Sequence, residues 1–169
     1  MAFGWLSGRR APDYWAAIAP WQDAVDVNAA PHSVERQFER LPPPAGVIFA
    51  AHALVGEVRA GGFAQYFWSP AGVLAPEAQQ AFVELGLPEA AAEIAEAMRV
   101  VGDPYPRVCE ARRRILQGIW DRTPETAVRR EGLERHTRAF RKAFGLMGLR
   151  RFPKIAGRYA RRNIVAPEG

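Results

Sequence analysis

Between its prolines and glycines this chain places apolar residues three and four apart, and no clear run alternates them two apart. That spacing belongs to helices with one buried face, and it leaves little room for strands. Asp13 can cap a short helix through about Ile18, with Trp15 and Ile18 on one side. Ser33 is placed to cap a helix over 34–41, and Pro42-Pro43-Pro44 stops it, because a residue preceding proline avoids helical geometry. Val47, Ile48, Ala51, Leu54, Val55 and Val58 then predict a helix from about Ala45 to Arg59. Pro76 opens a helix to about Leu85, ended by Gly86, and Pro88 opens the next, with Ile94, Met98 and Val101 along one face. Gly102-Asp103-Pro104 is a turn signal. Pro106 is expected to begin a helix carrying Val108, Ile115, Leu116, Ile119 and Trp120. Thr123-Pro124 predicts a capped start for a last long helix to about Phe144. A basic piece, Arg150 to Arg162, offers Phe152, Ile155 and Tyr159 for packing. The expectation is an all-α, compact single-domain bundle of about six to eight short helices. It spans 1–169, with 1–12 and 150–169 loosely held.

Charge divides the chain. Residues 13–98 hold 3 basic and 11 acidic side chains, net −8, and residues 99–162 hold 18 basic and 6 acidic, net +12. The whole carries +5. Such asymmetry points to a polyanion or an acidic partner. It is equally met if the two halves neutralise each other within one fold, or if codon bias set the basic residues, since 21 of the 23 are Arg. The longest nearly apolar run, Gly46 to Val55, is too short to span a bilayer. In MAFGWLSGRR the basic pair follows the apolar residues, the reverse of a secretory leader. A cytoplasmic protein with no membrane partner is expected.

Chemistry-bearing motifs are sparse. Cys109 is the single cysteine, so neither an intramolecular disulfide nor a multi-cysteine zinc site can form. Arg112 and Arg113 can lower its pKa, but a nucleophile also needs a base and an oxyanion site. His32, His52 and His136 show no metal-ligand spacing, and His52, on an apolar helix, reads as a hydrogen-bonded core residue. Phosphate-binding glycine loops are missing. No metal, cofactor or catalytic residue is expected. Arg112-Arg113-Arg114 and Arg129-Arg130 are expected to pair with acids such as Glu110, Glu131 and Glu134, or with those of the acidic half.

One stretch departs from the rest. In GEVRAGGFAQYFWSPAG, residues 56–72, a glycine pair precedes four aromatics within six positions. Gly61 or Gly62 is expected to take a positive φ at a helix end. Phe63 and Phe67, four apart, share a face and are expected to plug the core. The competing reading makes Glu57, Gln65, Tyr66, Trp68 and Ser69 a binding groove, with Tyr66 and Trp68 the more exposed aromatics.

The same stretch resembles the bacterial DNA-mimic-protein family (the DMP-type C-terminal domain). That family's helix ends in E-V-x-N-G-G-F, followed by x-Q-Y/F-F, a further aromatic, N-S and a nearby Gly. Here Glu57, Val58, Gly61, Gly62, Phe63, Gln65, Tyr66, Phe67, Trp68 and Gly72 match it. The family's two asparagines are replaced by Ala60 and Ser69. Leu85-Gly86 also resembles the family's break between its next two helices. The likeness is specific over 47–99 and diffuse from Trp15 to about Tyr159, with the family-like core at 15–148. It implies a compact helical fold, with no established enzyme activity or cofactor. Its named member type imitates DNA with surface carboxylates and binds a DNA-binding regulator, whereas this chain is basic. The expected role is a non-enzymatic, protein-binding regulatory domain with another protein as partner. Nucleic-acid binding through the Arg-rich C-terminal half is the alternative, and an enzyme using Glu57, Gln65 and Tyr66 the second alternative. Nothing in the sequence fixes an oligomeric state.

Overall fold

Prolines open five of the helices. Pro31, Pro43, Pro76, Pro88 and Pro124 each occupy a first or second helical position, where a missing N–H costs nothing. A computed structural model describes residues 14–121, 123–144 and 148–163. In chain order the helices are α1 (Trp15–Ile18), α2 (Pro31–Phe38), α3 (Pro43–Trp68), α4 (Ala75–Glu84), α5 (Pro88–Val101), α6 (Cys109–Trp120), α7 (Pro124–Ala143) and α8 (Gly148–Asn163). Short 3-10 turns at Ala19–Trp21 and Pro70–Leu74 link them, and no strand occurs among the described residues. The fold is all-α, as the apolar spacing requires.

Helix α3 is the centre. It packs against α1, α4, α6, α7 and α8. By length and mean hydropathy (1.3) it could cross a bilayer, but 61% of its apolar window is buried inside the fold. The run Gly46–Val55 understates it, because the helix starts at Pro43 and resumes beyond the glycine pair.

An aromatic chain fills the core. Phe63 and Phe67 stack at 5.7 Å, Phe63 meets Phe140 at 5.3 Å, and Phe82 meets Phe140 at 5.3 Å and Phe144 at 5.4 Å. Phe144 reaches Phe152 of α8 at 6.5 Å. These contacts tie α3, α4, α7 and α8 together, each enclosed ring contributing ~1.5–3 kcal/mol. The segment beyond residue 150, expected to be loose, is helical through Asn163, with Phe152, Ala156 and Ala160 buried. His52 is held by Tyr14 (Oη to Nδ1, 2.8 Å) among Trp15 and Phe152, and burial lowers its pKa to about 4. It is the core histidine its helix predicts.

Two helix starts differ from expectation. Ala30, not Ser33, is the N-cap of α2, because Pro31 already fits the first turn. Helix α6 begins at Cys109 rather than Pro106. The intervening loop lies across the 70–74 turn, where the Tyr105 hydroxyl donates to Gly72 O (2.8 Å) and Arg107 donates to Val73 O (3.0 Å). A helix from Pro106 would withdraw both. The proposed Asp13 cap lies outside the described residues, while Thr123 forms a reciprocal capping box with Thr126.

Candidate functional site

The glycine pair breaks α3. Gly61 (φ −154°, ψ 21°) and Gly62 (φ 76°, ψ −168°) are non-helical inside an otherwise continuous helix. Gly62 carries the expected positive φ. It also lies against α7: a Cβ there would come within 2.9 Å of Thr137 Cγ2 and 3.1 Å of Thr137 Oγ1. So the position needs glycine for both backbone conformation and approach.

Helix α7 repairs the break on both sides. The Phe63 N–H donates to Thr137 Oγ1 (3.1 Å), whose own proton goes to Leu133 O (2.8 Å). Arg141, one turn further along, donates to Val58 O (2.9 Å). Thus an orphaned donor and an orphaned acceptor, which a broken helix creates, both find side chains of one neighbour.

The far end of α3 is closed by α6. Arg112 is fully buried. Its Nε donates to Phe67 O (2.9 Å), one Nη to Ser69 O (2.9 Å), and the other to Arg107 O. Arg113 donates to Trp68 O (3.0 Å). A guanidinium at the negative end of a helix satisfies the last carbonyls and is favoured by the helix dipole. Gly72 makes the passage possible, since a Cβ there would meet Arg112 Nε at 3.0 Å and Tyr66 O at 2.8 Å.

These bonds correct the expected pairing of the arginines with acids. Arg112, Arg113 and Arg114 donate to backbone carbonyls, and Arg129 donates to Val100 O and Val101 O at the end of α5. Acid pairs do join the halves elsewhere: Arg107 reaches Glu35 (3.0 Å) and Glu77 (2.8 Å), and His136 reaches Glu93 (2.7 Å). The backbone partners of Arg112, Thr137 and Arg141 leave no mark in the sequence, because every residue has a carbonyl and only the fold decides which are orphaned.

The five proposed binding residues separate into two groups. Gln65 is exposed and its amide donates to the half-buried Glu57 carboxylate (3.0 Å), and Trp68 is half-buried beside them. Tyr66 and Ser69 are buried. Tyr66 packs at 5.5 Å from Phe67, its hydroxyl has no partner among the described residues, and burial raises its pKa well above the usual phenol value. Its expected exposure is therefore corrected, since α6 and the loop carrying Tyr105 cover that face of α3. The Ser69 hydroxyl donates to Tyr66 O (2.9 Å), closing the helix locally. Phe63 and Phe67 are fully buried, as their four-residue spacing predicts.

Over the kink lies an open groove with two lobes. One, about 390 Å³, lies between Gly61, Gly62 and α7 residues including Arg130, Glu134, Arg138 and Arg141. The other, about 550 Å³, lies between Gly61, Ala64, Gln65, Trp68 and the end of α6 at Gln117, Trp120 and Asp121. They share Gly61, Ala64 and Trp120. Trp120, 44% exposed, meets Trp68 edge to face at 6.2 Å, and the Arg113 guanidinium sits 5.5 Å from the Trp68 ring centre. Trp120 is the one aromatic among the large apolar side chains exposed in the described residues. Sequence reading placed it on a packing face, and only the open end of α6 turns it outward.

An all-helical domain whose central helix breaks at Gly-Gly-Phe beneath an open aromatic groove is the class these observations define. The model of the DMP19-like protein family matches residues 39–163, which takes in all of α3 to α8 and most of the chain. The chain belongs to that family. No curated protein matches it, and neither does any solved structure.

Proposed function

We propose that this chain is a non-enzymatic protein-binding domain and that its partner docks in the groove over the Gly61-Gly62 kink. The Trp68–Trp120 pair with Arg113 carries the reading. Tryptophan and arginine dominate the energetic centres of protein interfaces, because they bury much area and keep polar contacts available. The groove is shallow and open, which suits a protein segment better than a small molecule that needs enclosure. An enzyme built on Glu57, Gln65 and Tyr66 has weaker support. An amide holds the Glu57 carboxylate, while the Tyr66 hydroxyl is enclosed, so these three residues do not pair a nucleophile with a base.

DNA mimicry also has weak support. It needs a dense, unpaired carboxylate array, whereas Glu35, Glu77, Glu93 and Glu96 are paired with basic side chains. The basic face of α8, where Lys154, Arg158, Arg161 and Arg162 are exposed, keeps a nucleic-acid reading in second place.

The test is capture by the immobilised full chain from nuclease-treated extract at low and moderate salt. Three baits are compared: wild type, Trp120→Glu, and the triple variant Arg158→Glu, Arg161→Glu, Arg162→Glu. The expected result is a protein retained by wild type and by the α8 variant but lost with Trp120→Glu. A partner indifferent to Trp120 would remove the groove from the reading. Retention that disappears with nuclease and with the α8 variant would replace it by nucleic-acid binding.

A further inference from the structure

The two lobes of the groove differ in charge, and that difference selects a partner chemistry. The α7 wall presents Arg130, Glu134, Arg138 and Arg141 at successive positions along one side of the helix. Glu134 reaches Arg138 at only 3.8 Å, and both side chains are well exposed. A pair of this kind is weak and leaves the arginine free to take another carboxylate. Arg130 has no hydrogen-bond or ion-pair partner among the described residues. The other lobe is walled by the two indoles and floored by Gly61 and Ala64, which present no bulk. We infer that the groove takes an extended acidic peptide segment, with one large apolar side chain seated against Trp120 and carboxylates set on Arg130 and Arg138. This rests on the protein-docking reading above and names the chemistry of the partner.

Geometry sets the spacing. Arg130 and Arg138 are eight residues apart on a helix, or ~12 Å along its axis. An extended chain covers that distance in about four residues, and residues an even number apart point to one face. The segment therefore carries two acidic residues about four positions apart, with the apolar anchor close by. Single-stranded nucleic acid fits less well. The peptide's two carboxylates straddle Glu134, whereas phosphates recur at every nucleotide and would meet Glu134 and Asp121 as well, and the indoles, at 75° to each other with Arg113 over Trp68, offer no parallel platform for successive bases.

The experiment measures fluorescence anisotropy of labelled peptides of about twelve residues, a length chosen to overspan the groove. Three peptides share a frame: two glutamates four apart with a phenylalanine between, the same with lysines for glutamates, and the acidic one with alanine for phenylalanine. A single-stranded oligonucleotide of similar length is the fourth probe. The full chain is used as wild type, Trp120→Ala, and Arg130→Glu with Arg138→Glu, each checked for its helical circular dichroism. The acidic anchored peptide is expected to bind wild type and to lose about tenfold or more with either variant and with the alanine peptide. The lysine peptide is expected to gain affinity for the charge-reversed variant. Raising salt from about 50 to about 300 mM is expected to weaken the acidic complex several-fold.

Binding of the acidic peptide that ignores both variants would overturn the inference. So would Trp120-dependent binding of the lysine peptide to wild type in preference to the acidic one, an outcome that leaves protein docking standing. Tighter Trp120-dependent binding of the oligonucleotide would overturn both. If no probe binds, the acidic inference is refuted, and docking is then decided by the extract capture alone.

Discussion

Replacing Gly62 by alanine tests the kink most directly, because two separate costs fall on one methyl group. The first is conformational. At φ 76° and ψ −168° the residue sits in a region that is essentially confined to glycine, and a side chain there costs about 1–3 kcal/mol. The second is steric. The new Cβ would lie 2.9 Å from Thr137 Cγ2 and 3.1 Å from its Oγ1, so α7 must shift or Thr137 must turn. Overpacking of this kind costs about 1–3 kcal/mol more. The expected loss is about 2–6 kcal/mol in urea unfolding followed by circular dichroism. A double-mutant cycle separates the two costs. Thr137→Ala relieves the clash but removes the acceptor for the Phe63 N–H, which alone costs about 1–3 kcal/mol. Combined with Gly62→Ala it should cost at least about 1 kcal/mol less than the sum of the singles, since the clash is then gone. A Gly62→Ala protein within about 0.5 kcal/mol of wild type, or strictly additive costs, would refute the reasoning.

Three other perturbations follow from the same contacts. Arg112→Met should destabilise by about 1–3 kcal/mol, because it strands the buried Phe67 carbonyl while Ser69 O keeps the Gly72 N–H (3.1 Å), and chemical denaturation measures it. Phe63→Ala and Phe67→Ala should each cost about 3–5 kcal/mol by the same assay, with Trp120→Ala far less costly because that ring is partly in solvent. His52 has a folded pKa near 4, below its unfolded value, so its contribution is complete above about pH 6.5 and is lost as pH falls toward 4. The difference in stability between wild type and His52→Asn should therefore shrink by about 3 kcal/mol across that window, and a pH-independent difference would contradict the burial argument.

Local signals were legible where local chemistry decides. Pro76, Pro88 and Thr123-Pro124 mark helix starts because a proline ring and a capping hydroxyl act within one turn. Gly62 and the Phe63/Phe67 pair were legible for a similar reason, the one from its backbone conformation and the others from helical spacing. Tyr66 was not. It lies three residues from Phe63 and one from Phe67, and whether that edge of α3 meets water depends on α6 and on the loop carrying Tyr105. Arg112 and Arg141 were hidden for a deeper reason. Their acceptors are main-chain carbonyls, which carry no letter of the sequence. The groove was half legible: Gln65 and Trp68 belong to its near wall, with Glu57 bonded to Gln65 behind it, but Trp120, Arg130 and Arg138 come from helices that meet it only in the fold.

The repair of α3 by Thr137 and Arg141 bears on how tightly anything can bind above it. A helix interrupted at two glycines would ordinarily sample many bends, and a ligand closing on it would have to freeze that freedom. Here α7 acts as a splint, holding the donor at Phe63 and the acceptor at Val58 while its outward side forms the groove wall. The receptor has thus lost its entropy at the folding step, so association need not supply that ordering again. What remains to be ordered is the incoming segment, and its stiffness then sets the affinity.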